Sequence, residues 1–205
     1  DINKKPGGTY GTYMTNNGFY GDTVLKYAWM HNDFDVLDTQ GQHVTGDKMN
    51  TNGLGASIEV GKRLHFDQKN GDGFYLEPQA QLNYQHQSGG TFNTSSGLKV
   101  KVDSFDSFQG RAGVNLGYDV KDASGQGVFN IYAKGSYVYE FDGDVRAHFN
   151  GTRIDESFGD NWFTYGVGVT TQISEKHNVY ADFEAASGGQ FTQPWSVNVG
   201  YRLTF

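Results

Sequence analysis

From Trp195 to the end of the chain the residues alternate without interruption. Trp195, Val197, Val199, Tyr201, Leu203 and Phe205 are apolar or aromatic, while Ser196, Asn198, Gly200, Arg202 and Thr204 are polar or small. Successive side chains of a β-strand leave opposite faces, so this ribbon has one oily side and one polar side. In a helix the same sequence would spread both types around the axis. The chain stops on Phe205, inside the pattern, which predicts a strand paired on both edges whose end is itself recognised.

The period of two recurs along the whole chain and predicts about nine strands and no helix. The first, around Thr9 to Thr15, follows residues 1–8, which read as the remnant of a loop. Asn16, Asn17 and Gly18 turn it into a long second strand from Phe19 to Phe34. A third runs from Gly53 to Phe66. In the fourth, Phe74, Leu76, Pro78, Ala80, Leu82 and Tyr84 alternate with Tyr75, Glu77, Gln79, Gln81, Asn83 and Gln85. Pro78 cannot donate to a ladder, which predicts a bulge there. The remaining strands span Phe108 to Val120, Val128 to Phe141, Trp162 to Ile173, Asn178 to Ala186 and Trp195 to Phe205.

Composition decides what medium such strands can face. Hydrophobic residues are 36 % of the chain, below the roughly 45–50 % of soluble domains. Aromatic residues reach 15 %, which argues against disorder. A sheet whose two faces meet different solvents satisfies both facts. No run of about 20 apolar residues exists, so a helical membrane span is excluded, but a spanning barrel strand needs about 9–11 residues of alternating polarity. Its polar lumen face accounts for the mean hydropathy of −0.62. The absence of cysteine removes disulfides, thiolate catalysis and Cys-ligated metals. A net charge of −7 and a pI near 5.2 argue against a nucleic-acid partner. Asp1 to Gly8 lacks a signal-peptide pattern, so such a segment is expected to be absent or already removed.

Connections alternate in length. Asn16 to Gly18, Asp67 to Gly73, Asp122 to Gly127 and Ser174 to His177 are short; Asp35 to Asn52, Gln87 to Ser107 and Asp142 to Asn161 are long, and Ser187 to Gln193 is intermediate. Short periplasmic turns opposite long outer loops are the pattern of outer-membrane barrels, and place the C-terminus in the periplasm. Phe19, Tyr20, Phe74, Tyr118, Phe129, Trp162, Phe163 and Trp195, near strand ends, are expected to form interfacial girdles. The expected fold is therefore an all-β, transmembrane antiparallel β-barrel of the outer-membrane type. Nine strands ending in the periplasm would start outside, whereas single-chain bacterial barrels have even strand numbers. The chain is accordingly expected to begin partway round a larger barrel.

Three stretches carry a family likeness: Gly71 to Leu82, Phe108 to Gly113, and the ending in Gln193, Pro194, Trp195 and Gly200 to Phe205. Over nearly its whole length the sequence resembles the C-terminal translocator β-domain of type Va autotransporters of Gram-negative bacteria, in its pertactin-like branch. The resemblance implies a barrel of about twelve strands, crossed by a helix that leads to a secreted N-terminal passenger. This chain would supply the last nine strands, without the passenger, the helix or its cleavage site. It implies an outer-membrane anchor that exports its own passenger, with outer-membrane lipid, the barrel assembly machinery and that passenger as partners. Asn198, Gly200, Tyr201, Leu203 and Phe205 match the terminal pattern that the machinery reads, and an alternating strand can add to an open sheet edge through its backbone. A passive pore or structural barrel without a passenger is the alternative reading, and an outer-membrane barrel hydrolase the third.

Twelve charged residues fall on the predicted lumen face: Asp22, Lys26, Glu59, Arg63, Glu77, Arg111, Asp119, Lys134, Glu140, Asp182, Glu184 and Arg202. A hydrated lumen of mutually paired charges accounts for them; holding a helix or wetting a polypeptide conduit is the functional reading. Some autotransporters cut their passenger with lumen carboxylates, a role the resemblance would give to Glu77 or Asp182. Histidine is the natural proton shuttle, but His31, His43, His65, His86, His148 and His177 are scattered. Asp142, Asp144 and His148 form the nearest thing to a catalytic constellation and read as a solvated loop. Asp142 and Asp144 flank Gly143, yet the spacing beyond departs from a calcium loop. No catalytic residue, metal or cofactor is predicted.

Overall fold

Antiparallel pairing between strands adjacent along the meander builds the molecule. The computed structural model describes residues 2–32, 35–37, 43–46, 49–69, 72–121, 127–157, 160–174, 177–189 and 191–203. The strands in chain order are β1 (Ile2–Met14), β2 (Phe19–Asn32), β3 (Asp35–Leu37), β4 (His43–Thr45), β5 (Met49–Lys62), β6 (Leu64–Lys69), β7 (Asp72–Gln87) and β8 (Gly90–Asn93). They continue as β9 (Lys99–Val102), β10 (Phe105–Lys121), β11 (Gly127–Asp142), β12 (Asp144–Phe149), β13 (Thr152–Ser157), β14 (Asn161–Ser174), β15 (His177–Gly188) and β16 (Phe191–Leu203). The main sheet follows the order β1-β2-β5-β7-β10-β11-β14-β15-β16, with β6 prolonging β5 alongside β7.

This sheet is a curled single layer, and the curl explains its burial pattern. On β14, Phe163, Tyr165 and Val167 are exposed while Thr164, Gly166 and Gly168 are shielded. No element among the described residues packs on the outer face, so the shielding comes from side chains converging on the concave side. The usual distribution is inverted: Val199 is 71 % and Trp195 65 % exposed, whereas Glu77 and Glu140 are each 5 % exposed. In water such an apolar exterior would drive aggregation; in hydrocarbon it is the matching surface.

Four cross-strand pairs repeat around the inner face toward the short-turn rim. Tyr20 lies opposite Gly61, Tyr75 opposite Gly117, Tyr132 opposite Gly168 and Tyr180 opposite Gly200. Each ring lies over its glycine: a Cβ built on Gly61 would come within 2.6 Å of the Tyr20 ring, and one on Gly117 within 2.5 Å of the Tyr75 ring. The tyrosine covers backbone that glycine leaves bare, and the glycine makes the room.

Several expectations change. Residues 2–8 are strand, not loop remnant: β1 pairs with β2 from Ile2 opposite Asn32 to Met14 opposite Tyr20. Lys4, Lys5, Pro6, Gly7 and Gly8 are poor strand formers, and the ladder along β2 overrides their propensity. Around Pro78 there is no bulge. β7 keeps one register with β10 throughout, and the same register with β5 up to Gly61–Gln79 and with β6 from Leu64–Leu76. The ladder is instead interrupted between those pairs, where Arg63 turns its N–H to the Gly18 carbonyl at 2.8 Å. Gly18, with φ of +82°, closes the β1–β2 turn in a conformation suited to glycine. β16 pairs with β15, and neither its second edge nor that of β1 has a partner strand among the described residues.

The long connections also carry strands. β3–β4, β8–β9 and β12–β13 are hairpins, and the last two join in a second sheet of order β13-β12-β9-β8. Its apolar side, with Phe92 and Val100 flanked by Leu98, Val102 and Phe149, packs on Met49 at the start of β5. Gly46 bridges to Thr94, which ties the β3–β4 hairpin to the β8–β9 turn.

Candidate functional site: the inner polar face

The register places the candidate charges in rows across neighbouring strands. Asp22 on β2 faces Glu59 on β5, which faces Gln81 on β7, itself opposite Arg111 on β10. Alternation sends all of these side chains to the concave side. There the Arg111 guanidinium donates to Glu59 at 2.5 Å, and Tyr20 Oη donates to the other Glu59 oxygen at 3.1 Å.

Glu77 is the hub of the next row. Arg63 Nε donates to its Oε2 at 2.6 Å, while Gln79 Nε2 at 2.9 Å and Asn115 Nδ2 at 3.2 Å donate to its Oε1. The Arg63 guanidinium also stacks on the Tyr75 ring, 4.0 Å from its centre, and lies 3.6 Å from Asp119. Asp119 in turn accepts from Asn130 at 2.7 Å and meets His65 Nε2 at 3.0 Å. A carboxylate this shielded survives ionised only with such company. A second cluster pairs Lys134 with Asp182 at 2.5 Å and Glu184 at 3.0 Å.

Glu140 lies at the far rim and has a structural task. A register shift between Phe108 and Gln109 frees the Phe108 N–H, which donates to Glu140 Oε1 at 2.9 Å. Ser107 and Gln109 donate to its Oε2 at 2.9 and 2.7 Å. Asp22, Lys26 and Arg202 enter neither cluster. Gln79, Asn115, Asn130, His65, Tyr20 and Tyr75 are the network members that were not singled out among the charges; their shared parity with Glu77 and Asp119 was the available signal. Tyr20 turns inward to Glu59 and so leaves the expected girdle, as does Trp162, on the inner parity of β14 and 5.1 Å from the Phe191 ring. Phe74 and Tyr118 meet edge to face at 4.9 Å on the outside.

Of the terminal residues, Asn198 and Gly200 share the inner parity of β16 and Tyr201 and Leu203 the outer one, where Tyr201 Oη contacts His177 Nδ1. Phe205 lies outside the described residues. Of Asp142, Asp144 and His148, read from the sequence as solvated rather than catalytic, the last two find separate partners. His148 Nε2 on β12 meets Asp103, just past the end of β9, at 3.2 Å, and Asp144 lies 3.9 Å from Arg146. Lys101, donating to Asp103 at 2.7 Å, holds that carboxyl below the ordinary carboxylate range, with His148 adding to the effect and partial desolvation opposing it. Arg153 does the same to Asp155. Among the described residues no group of three or more His, Asp or Glu is arranged to hold a metal ion.

Comparison with known proteins defines the class. The autotransporter beta-domain family matches residues 1–184, and the chain belongs to that family. It is 39 % identical over 198 residues to the probable autotransporter YcgV of Escherichia coli K12, covering 97 % of this chain and 20 % of that protein. It is 34 % identical to the pertactin autotransporter of Bordetella bronchiseptica, covering 97 % of this chain and 21 % of the relative. The crystal structure of the beta domain of the Bordetella autotransporter BrkA superposes with a TM-score of 0.76 at 29 % identity, over 100 % of this chain and 74 % of that one. The fold is thus that of the autotransporter barrel, of which this chain forms nine consecutive strands. The chain spans about a fifth of the length of the curated relatives it matches.

Proposed function

We propose that this chain is the membrane-embedded part of a protein that anchors in the bacterial outer membrane and serves the surface delivery of its own N-terminal passenger, without catalysis by the barrel. The observation that carries the reading is the inverted sheet, apolar outside and ionic within, in a chain of the autotransporter beta-domain family. About three strands supplied from upstream would pair with the free edges of β1 and β16 and close the barrel, in keeping with the quarter of the BrkA domain that this chain leaves uncovered. The short turns then face the periplasm and the hairpins of the second sheet stand outside. Glu77 and Asp182 are tied into ion pairs that hold neighbouring strands together, which supports a structural role for them. Asn198, Gly200, Tyr201, Leu203 and Phe205 would dock on the barrel assembly machinery by strand addition.

The test uses the intact parental gene in its cell. Tyr201→Ser with Phe205→Ser should lower both outer-membrane barrel and protease-accessible passenger on whole cells. Unchanged levels of both contradict the docking role; normal barrel with an upstream segment that never reaches the surface contradicts export.

A further inference from the structure

On the outer face, a shallow pocket with polar residues at its margin interrupts the apolar band. It is lined by Lys5, Trp29, His31, Asn50 and Asn52, and three strands build it. Lys5 on β1 lies opposite Trp29 on β2, which lies opposite Asn52 on β5; one step nearer the long-connection rim, His31 lies opposite Asn50. Along β2 the outer row reads Phe19, Gly21, Thr23, Leu25, Tyr27, Trp29 and His31. The pocket therefore sits where that row passes from hydrocarbon-like to polar.

Its parts are held in place. The Tyr27 edge meets the Trp29 ring at 5.6 Å and 75°, fixing an indole that is 57 % exposed. His31 Nδ1 pairs with Asn50 Oδ1. Among the described residues no carboxylate lines the pocket, although acids outnumber bases 23 to 16 in the chain. An ammonium beside an imidazole, two carboxamides and an aromatic plate, at the depth of lipid headgroups, is suited to a phosphorylated sugar: cation to phosphate, amides to hydroxyls, indole to the sugar ring.

We propose that this pocket binds the headgroup of a phosphorylated glycolipid in the outer leaflet. Lys5 and His31 hold the phosphate, Asn50 and Asn52 the sugar hydroxyls, and Trp29 packs on the ring. The inference rests on the outer-membrane reading above, with the long connections outside.

The experiment takes the full-length protein, extracted from outer membranes in mild detergent, and measures bound lipid by native mass spectrometry. Bisphosphorylated lipid A is the probe; phosphatidylglycerol and inorganic phosphate are the comparison arms. The unaltered protein should retain lipid A in preference to phosphatidylglycerol by about tenfold, and Lys5→Ala with His31→Ala should lose about that factor. Lys5→Arg should keep binding, and Trp29→Ala should lose the preference for sugar. Each variant's folding is read from the heat-dependent gel mobility of a closed barrel, and where the double variant does not fold, Lys5→Gln alone is compared. Equal lipid A retention by folded variants, equal uptake of phosphatidylglycerol, or displacement by inorganic phosphate alone overturns the proposal. A protein that fails to enter lipid vesicles overturns the parent reading instead, a result visible before any lipid is counted.

Discussion

Glu77 illustrates how a single residue is made tolerable on the inner wall. Its carboxylate is almost fully shielded, and three side-chain donors from three strand segments converge on it: Arg63 beyond the end of β5, Gln79 on β7 itself and Asn115 on β10. Glu77→Gln keeps the shape but removes the charge that Arg63 faces, and should lower the unfolding free energy by about 1–3 kcal/mol. The lower half of that range is expected, because the Arg63 side chain is 35 % exposed and water screens part of the loss. Denaturant titration of the barrel in lipid vesicles measures it; no change would mean that the ion pair holds nothing. At Gly117 the constraint is steric. Any Cβ there meets the Tyr75 ring, which cannot swing away while Asn130 and Arg63 engage it. Gly117→Val should cost about 1–3 kcal/mol by overpacking, and the same assay with Tyr75→Ala added should recover part of it.

Elements were legible to different degrees. The nine strands of the main sheet stood out because each has one face in contact with apolar surroundings and one with polar, so a period of two is written in the residues themselves; β7 and β16 show it most openly. β1 was half missed because Lys4 to Gly8 carry no propensity and the information lies in its partner β2. The hairpins β8–β9 and β12–β13 were hidden because their alternation is short and interrupted by glycine and charge, and their core forms between connections far apart in sequence. Parity in the sequence proposes which charges share a face, but which of them meet depends on register across strands and is not written in any one segment. The second sheet has its own pH signature. Lys101 lowers the Asp103 carboxyl in the folded state, so its contribution is present above the unfolded carboxylate value near 4 and is lost as pH falls through the folded value. Hydrogen exchange at Ala147–Phe149, corrected for intrinsic rate, should therefore lose protection on acidification below about pH 4. Asp103→Asn should remove that acid dependence; a variant with an unaltered acid profile would assign it to other groups.

At the scale of the whole molecule, one physical condition underlies the fold, the family membership and the proposed role: the two faces of one curled sheet meet unlike media. The outer face offers hydrocarbon the side chains of Leu25, Ile58, Leu116, Ile131, Val167 and Val199, all exposed, while on the inner face Arg63, Arg111 and Lys134 pair with Glu77, Glu59 and Asp182. On the proposed role, that arrangement sits in a bilayer, which alone matches an apolar exterior to an ionic interior. The chain has no cysteine, so single cysteines can be introduced without background. The most direct measurement is a nitroxide scan over Thr164 to Val169 of the full-length protein in lipid vesicles, reading collisions with oxygen, which concentrates in the bilayer, against a water-soluble nickel chelate. The account predicts oxygen maxima at Tyr165, Val167 and Val169 alternating with nickel maxima at Thr164, Gly166 and Gly168. The same accessibility to both reagents at every position, or oxygen maxima at the polar set, would contradict it.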